Sequence, residues 1–315
     1  MSILFRKSGI LTSVQDLGRN GFRKSGINPN GAMDKTAVRL INILLGNDAD
    51  EAVVEIHFPA PEIVFESAAV FALGGADFAA NLDGAAVGNW KTNFAERGSV
   101  LTFGNKVFGN RAYISIKGGF DLPEVLNSKS TNLTAKFGGL NGRKVENGDK
   151  IDFKFQISNF NSNLRISDSL IPFYSRFPTV RVVACDGFES LTALSEMDFL
   201  KSGFTVTPNS NRMGFRLDGA PLYLLDAKEI VSSAVNFGTI QLLPDGNLII
   251  LMADHQTSGG YPRLANVIET DLPLVAQLGA NDKIAFHLVS IAEAEVIAFE
   301  FERDLKLLKV GVNLR

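Results

Sequence analysis

The stretch NLIILMA, residues 247–253, is an apolar run with the length of one strand, and it is followed directly by polar residues. A run of this kind is typical of a strand buried on both faces. Similar short runs recur along the chain between Gly, Asn, Asp and Pro: AVVEIHF (52–58), AVFAL (69–73), VLTF (100–103), RAYISIKG (111–118), KIDFKF (150–155), TVRVVA (179–184), IQLL (240–243), KIAFHLV (283–289) and EVIAFEFE (295–302). This spacing predicts a mainly β protein, built as barrels or sandwiches of mostly antiparallel strands.

Turn signals support this prediction. In NLDGAAV (81–87), Asp83-Gly84 favours a type I′ hairpin turn between two strands. RLDGAPL (216–222) carries the same Asp-Gly pair, and we expect the same device there.

The sequence predicts few helices, all short. The clearest covers 34–45, where Ala37, Leu40 and Leu44 share one apolar face, with Asp34 as N-cap and Gly46 just past the end. A second is predicted in LSEMDFLKSG (194–203), where Ser195 and Asp198 approximate a capping box, and a third begins at Asp271, with Pro273 in its first turn.

Residues 156–178 lose the apolar periodicity and turn polar, which predicts a joint between two β-rich domains. We expect an N-terminal domain at 1–165, with the helix at 34–45, and a C-terminal barrel domain at 166–315.

Composition excludes several classes of protein. With 315 residues and a formal net charge of −3, the chain gives no electrostatic reason to bind nucleic acid or an anionic membrane. Its three histidines lack metal-ligand spacing, and Cys185 is the only cysteine, so we expect neither a metal site nor a disulfide. No apolar run predicts a secretory signal or a membrane span, and we expect a cytoplasmic protein.

Familiar catalytic motifs are missing from the sequence. There is no G-x-x-x-x-G-K-[ST] phosphate loop, no G-x-G-x-x-G opening a helix and no G-x-S-x-G elbow. What stands out instead are four segments rich in glycine and polar residues, at 14–34, 118–149, 207–219 and 251–264. Such loops on a rigid β scaffold commonly carry function.

Each segment also has a structural interpretation. The first could be a solvated loop in which Asp34 only caps the helix. In the second, Lys129 and Arg143 offer charge for a carboxylate or a phosphate, and the alternative is that this long connection is only a poorly ordered loop. In the third, Arg212 and Arg216 either face different environments, one in a cleft and one in solvent, or are two solvated arginines around a turn.

The four segments, in this order, resemble the allophanate hydrolase subunit 2 family, also called the biotin-dependent carboxyltransferase-like family. The resemblance runs from about residue 10 to residue 294 and is carried by VQDLGR (14–19), NGAMD (30–34), LINILLGN (40–47), GGADF (74–78), GNRAYISIKGGFDLPEVLNSKST (109–131), FGGLNGRKVENGD (137–149), NSNRMGFRLDG (209–219) and ADHQTSGGYPR (253–263). It implies cyclophilin-like β-barrel architecture and a partner of the subunit 1 type, such as a 5-oxoprolinase B subunit or a KipI-like protein.

The resemblance also implies an activity. Because no biotin carrier is present, the chain looks most similar to members that act as the C subunit of an ATP-dependent 5-oxoprolinase, together with an A subunit of the LamB/YcsF type. Two alternatives stay open: a carboxyltransferase module of a urea carboxylase that uses biotin, and a KipA-like regulator that binds an antikinase partner.

Roles for individual residues follow as hypotheses. Asp16 or Asp254 is a base or orients water, and Gln256, Thr257 and the backbone of Gly259 and Gly260 donate to developing negative charge. Further substrate contacts are expected from Arg19, Asp34, Ser130, Arg212 and Tyr261.

Two positions depart from the family pattern. Ser233 stands where members commonly have a Glu, and His255 stands where an Arg often follows the Ala-Asp pair. Both changes weaken a transfer of the family mechanism residue by residue.

Overall fold

A computed structural model of the protein describes residues 1–154, 163–226 and 231–314. The chain forms two compact units, the first made of Met1–Asn20, Asn30–Pro172 and Arg303–Arg315, the second of Gly21–Pro29 and Phe173–Glu302. The boundary predicted between 165 and 166 lies a few residues before the main change of unit, after Pro172. In addition, the segment 21–29 belongs to the second unit and the segment 303–315 to the first. Part of the predicted joint, 155–162, lies outside the described residues.

The first unit is a two-layer β structure. Its elements are β1 (Ser2–Lys7), β2 (Thr12–Gln15), α1 (Lys35–Leu45), β3 (Val53–His57), β4 (Glu62–Phe65), β5 (Ala69–Asp77), β6 (Ala80–Leu82), β7 (Ala85–Ala86), β8 (Thr92–Ala95), β9 (Val100–Phe103), β10 (Phe108–Ile116), β11 (Lys150–Asp152) and a 3₁₀ turn at Asp168–Leu170. Within the described residues these strands form a six-stranded sheet in the order β11-β1-β4-β9-β6-β7 and a five-stranded sheet in the order β2-β3-β10-β5-β8.

An apolar core joins the two sheets. Ile3 and Phe65 of the larger sheet and Val54 and Leu73 of the smaller one belong to the same buried cluster. Along β1, buried Ile3 and Phe5 alternate with less buried neighbours, which is the period-2 pattern of a strand with one face in the core.

Helix α1 covers the other face of the smaller sheet. Asp34 caps it, accepting from the Ala37 amide at 2.9 Å, and Gly46 follows it in the left-handed conformation, so the predicted caps are confirmed. A Cβ on Gly74 of β5 would come within 2.6 Å of the Ile41 side chain. Glycine is therefore required where the helix approaches the sheet.

The second unit is built around a closed barrel. Its elements are a 3₁₀ turn at Arg23–Ser25, β12 (Thr179–Ala184), α2 (Ala193–Lys201), β13 (Phe204–Val206), β14 (Gly214–Asp218), β15 (Ser233–Ala234), β16 (Thr239–Leu242), β17 (Leu248–Leu251), β18 (Ser258–Gly259), β19 (Arg263–Val267), a 3₁₀ turn at Glu269–Asp271, α3 (Leu272–Ala276), β20 (Lys283–Leu288) and the start of α4 (Ile291–Asn313). In the described part of the chain, seven strands close in the order β12-β19-β16-β17-β14-β13-β20. The prediction of a mainly β protein with a barrel is confirmed.

Of the predictions for turns and helix caps, some are confirmed and others are wrong. Asp83 and Gly84 both have positive φ between β6 and β7, so the first hairpin is confirmed. The second is wrong, because β14, which ends at Asp218, pairs with β13 and β17. The capping prediction for α2 is also wrong: Thr192 is its N-cap and accepts from the Ser195 amide.

The segment EVIAFEFE was predicted to be a strand and is helical. It lies inside α4, a helix of 23 residues. The segment's alternation is too short to distinguish a strand from a helix with apolar residues on two faces.

Candidate functional site

In the first unit, Asp16 joins two of the polar segments. Its Oδ1 accepts from the Gly18 amide at 2.7 Å, from the Ser128 hydroxyl at 2.8 Å and from the Ser130 hydroxyl, while Oδ2 accepts from the Lys129 amide at 2.6 Å. The carboxylate is 7% exposed. These four bonds fix its orientation and hold residues 128–130 against the end of β2.

Arg19 is fully buried beside this network. Its guanidinium donates to the Asn30 side chain at 2.8 Å and to the Ser130 carbonyl, and it lies 4.7 Å from the centre of the Phe137 ring. A substrate carboxylate could reach this guanidinium only by displacing those partners.

Asp34 takes part in a second buried group as well as capping α1. Its amide donates to the Tyr113 hydroxyl at 2.9 Å, and that hydroxyl donates to Glu55 at 2.9 Å. Glu55 also accepts from the Met33 amide. Burial, with the charges of Glu55 and Asp34, raises the pKa of Tyr113 well above its ordinary value, so the phenol stays protonated as the donor to Glu55.

The two cations of the 118–149 segment are also paired. Lys129 donates to Glu51 at 2.5 Å, and although burial opposes it, this bond raises the pKa of Lys129. Arg143 makes a two-pronged contact with Asp149, at 2.5 and 2.9 Å. Both contacts tie loops of the first unit together.

In the second unit, Arg212 and Asp254 form a two-pronged buried ion pair. Arg212 Nε lies 2.8 Å from Asp254 Oδ2, and Nη2 lies 3.1 Å from Oδ1. The Asp254 amide donates to the Arg212 carbonyl at 2.8 Å, and the Asn28 side chain donates to the Asp254 carbonyl at 3.1 Å. The pair therefore holds the segment that leads into β14 against the loop that follows β17.

A cleft of about 470 Å³ lies on the outer face of β14, β17 and β16. Arg216 pairs with Ile249, and Ile249 pairs with Gln241, so these three side chains form a row across adjacent strands. Their neighbours Phe215 and Ile250 are buried. The polar residues lining the cleft are Asn209, Asn211, Arg216, Gln241, Asp245, Gln256 and Tyr261.

One wall of the cleft comes from the loop after β17. Gln256 and Tyr261 of this loop are exposed and line the cleft, and the Gln241 amide lies 3.4 Å from the Tyr261 carbonyl. A Cβ on Gly259 would come within 2.7 Å of Gln241 Nε2, so the glycine lets the loop approach the strand. Hydrogen bonds from Asn247 lower the pKa of Asp245, which keeps a negative charge at the rim.

These groups define what the cleft can bind. It offers a guanidinium, amide and phenol donors and a single carboxylate, with a volume in the range of small-molecule sites. Such a set suits a small polar molecule that carries a carbonyl and a carboxylate.

The predicted site residues thus fall into four groups. Gln256 and Tyr261 line the cleft, and Arg212 and Asp254 bind each other next to lining residues Asn211 and Met213. In the rest of the loop, the Thr257 carbonyl accepts from the Val235 amide, and Gly259 of β18 pairs with Ser233 of β15. Gly260 is exposed. The fourth group, Asp16, Arg19, Asp34 and Ser130, belongs to the first unit.

Sequence reasoning missed Gln241 and Asp245 and favoured Arg212 over Arg216. Gln241 had a usable signal, because it is a polar residue within the apolar run IQLL. At the two departures from the family pattern, Ser233 makes a backbone pairing and the buried His255 ring lies 2.5 Å from the Gln256 carbonyl.

Within 1–154, 163–226 and 231–314, no group of three or more His, Cys, Asp or Glu side chains could hold a metal ion. Over the same ranges, no helix has the length and apolarity needed to cross a membrane.

Comparison with known proteins places this fold and these segments in one family. Residues 25–288 match the model of the carboxyltransferase domain, subdomain A and B, and the chain belongs to this family. The predicted resemblance is thereby confirmed.

Two relatives by sequence and one solved structure are similar to most of this chain. The chain is 37% identical over 282 residues to the C subunit of 5-oxoprolinase from Haemophilus influenzae, covering 90% of this chain and 89% of the relative. It is 36% identical to the C subunit of 5-oxoprolinase from Escherichia coli K12, covering 91% of each. Among solved structures, the urea amidolyase of K. lactis matches with a TM-score of 0.91 at 27% identity, over 98% of this chain but 20% of that one.

Proposed function

We propose that this chain is the C subunit of a 5-oxoprolinase, which opens the lactam of 5-oxo-L-proline to L-glutamate at the expense of ATP. One observation carries the proposal. The chain matches relatives named as this component over about nine-tenths of both lengths, whereas it corresponds to one-fifth of the urea amidolyase.

The chemistry assigns tasks to the complex. Resonance stabilises a lactam, so ATP-coupled activation of its oxygen makes ring opening feasible, and the site must bind a carboxylate and stabilise developing negative charge. This sequence has no phosphate loop, so we assign ATP to another component of the complex. The partners we expect are a subunit 1-type protein (the B subunit) and a LamB/YcsF-type protein (the A subunit), in the cytoplasm, where ATP is available.

We assign substrate contact to the cleft. Arg216 is the cation we expect to bind the substrate carboxylate, because Arg19 and Arg212 are buried and engaged by protein groups. The side chain of Gln256 and the hydroxyl of Tyr261 are donors for the lactam oxygen. Thr257, Gly259 and Gly260 supply further donors from the same loop.

We assign positioning roles to the buried carboxylates. Asp254, held by Arg212, anchors the start of the loop that carries Gln256. In the first unit, Asp16 holds Ser130 and its neighbours, and Asp34 holds α1. These roles predict a loss of kcat or of stability when the pairs are broken, with little direct effect on substrate affinity.

Kinetics of the reconstituted complex test these assignments. Arg216→Ala is expected to raise the KM for 5-oxo-L-proline by about tenfold or more, the loss of one charge-assisted contact. Arg165→Ala, which removes an exposed arginine of the first unit, is the matched control and should leave KM unchanged. Equal KM values for Arg216→Ala and the parent complex would refute the substrate-binding assignment.

A carboxyltransferase module that uses biotin is the second candidate. The TM-score of 0.91 to urea amidolyase and the carboxyltransferase family model favour it. It predicts that the chain, in complex with a subunit 1-type protein, binds biotin in calorimetry. No heat at millimolar biotin would count against it.

A further inference from the structure

Helix α4 presents an apolar stripe to solvent. Val296, Phe299, Leu307 and Val310 are 58, 72, 63 and 55% exposed. Their spacing places them on one face of the helix, whereas Leu305, 2% exposed, lies on the opposite face. The helix therefore has one packed apolar face and a second one in contact with water.

Charge along α4 is divided into two halves. Residues 291–302 contain four acidic residues and no basic ones, namely Glu293, Glu295, Glu300 and Glu302. Residues 303–313 contain Arg303, Lys306 and Lys309 against a single acid, Asp304. The helix dipole favours this polarity but does not account for the exposed stripe.

An antiparallel copy of the same helix matches both features. It places the acidic half of one helix along the basic half of the other, whereas a parallel copy brings like charges together. A two-fold axis next to Arg303 sets Val296 opposite the partner's Val310 and Phe299 opposite the partner's Leu307. In the same register, Glu300 lies opposite the partner's Lys306. Arg303 faces the partner's Arg303 across the axis, and each of these arginines lies about one turn from the partner's Glu300, which offsets the like-charge contact.

We propose that α4 is a self-association surface, on which a second copy of this chain packs antiparallel along the 296–310 stripe. The interface is isologous, since each helix supplies the same residues to the other. One pair of helices buries less than the roughly 800 Å² per partner of a standard interface, so we expect a weak dimer that forms in the micromolar range.

Sedimentation velocity over a series of concentrations tests the association. The parent chain should show a concentration-dependent dimer, and Phe299→Glu should weaken it by about tenfold or more, a loss of at least 1.4 kcal/mol. Leu194→Glu, at an exposed apolar residue of α2, is the matched control and should leave the dimer intact. A parent chain that stays monomeric throughout, or an equal loss in the control, would overturn the proposal.

A charge exchange tests the pairing of the two halves. Glu300→Arg should weaken the dimer, and adding Arg303→Glu should restore it, because each helix then offers the reversed pair to the other. Failure of the double variant to recover, with circular dichroism equal to that of the parent, would refute this register.

Cross-linking tests the direction of packing. In a Cys185→Ser background, chains with Val296→Cys and chains with Val310→Cys should form disulfides with one another when mixed. Cross-links confined to Val296→Cys chains alone would indicate a parallel pair and contradict the proposal. The proposal would also be contradicted if a different protein of the complex, and not a second copy of this chain, covered this stripe.

Discussion

Replacing Asp16 with alanine is the sharpest test of the network in the first unit. The change removes the acceptor for four donors: the Gly18 and Lys129 amides and the Ser128 and Ser130 hydroxyls. A buried donor left without an acceptor costs about 1–3 kcal/mol, and the four do not add fully because the chain relaxes. We expect the free energy of unfolding to fall by about 3–5 kcal/mol, within the range seen for broken buried networks.

Trp90 makes the assay specific to this unit. It is the only tryptophan, it is buried, and it belongs to the same unit as Asp16, so its fluorescence in a urea titration reports on the unfolding of that unit. Asp16→Asn keeps the volume and one acceptor, and should cost about 1–3 kcal/mol. Asp50→Ala, at an exposed carboxylate, is the control. A loss below about 1 kcal/mol for Asp16→Ala would refute the role of this side chain as the anchor of residues 128–130.

Three further results are expected. Gly31→Ala should lower the free energy of unfolding by about 1–3 kcal/mol, because φ is +93° and a Cβ would lie 2.8 Å from the Gly18 amide nitrogen; an unchanged urea midpoint would contradict this. Because burial raises the pKa of Cys185, its alkylation by iodoacetamide near neutral pH should be slower than that of glutathione, and a faster reaction would show an activated thiol. Arg143 lowers the pKa of Asp149, so this contact stabilises the fold above about pH 4 and the stabilisation is lost as pH falls through the lowered pKa. Asp149→Asn should therefore destabilise the protein at neutral pH and have a smaller effect at a pH below the lowered pKa in urea titrations, while an equal effect at both would be inconsistent with the ion pair.

Much of the fold could be predicted because β structure leaves a local signal. Runs such as TVRVVA and LIIL occur as strands β12 and β17, since their length and the Pro, Gly, Asn and Asp residues around them leave few alternatives. Helix α1 was predictable to its caps, because Asp34 and Gly46 act within one turn of the apolar stripe. Helix α4 was not, since its apolar residues lie on two faces and imitate a strand over eight residues.

The candidate site was predictable in its loops but not in its pairs. The sequence pointed to the loop that carries Gln256 and Tyr261, because polar residues follow a buried strand. It could not show that Asp16 binds Ser130, 114 residues away, or that Asp254 engages Arg212 and leaves Arg216 in the cleft. Such pairs depend on which strands become neighbours, and the chain's local pattern does not encode that.

An omission experiment tests the central claim most directly. L-glutamate formation from 5-oxo-L-proline and ATP would be measured with this chain and its partner proteins together, with the chain left out, and with the chain alone. The proposed function predicts turnover only in the complete mixture. Full turnover by the partners without this chain or by this chain alone, or none in the complete mixture, would contradict it.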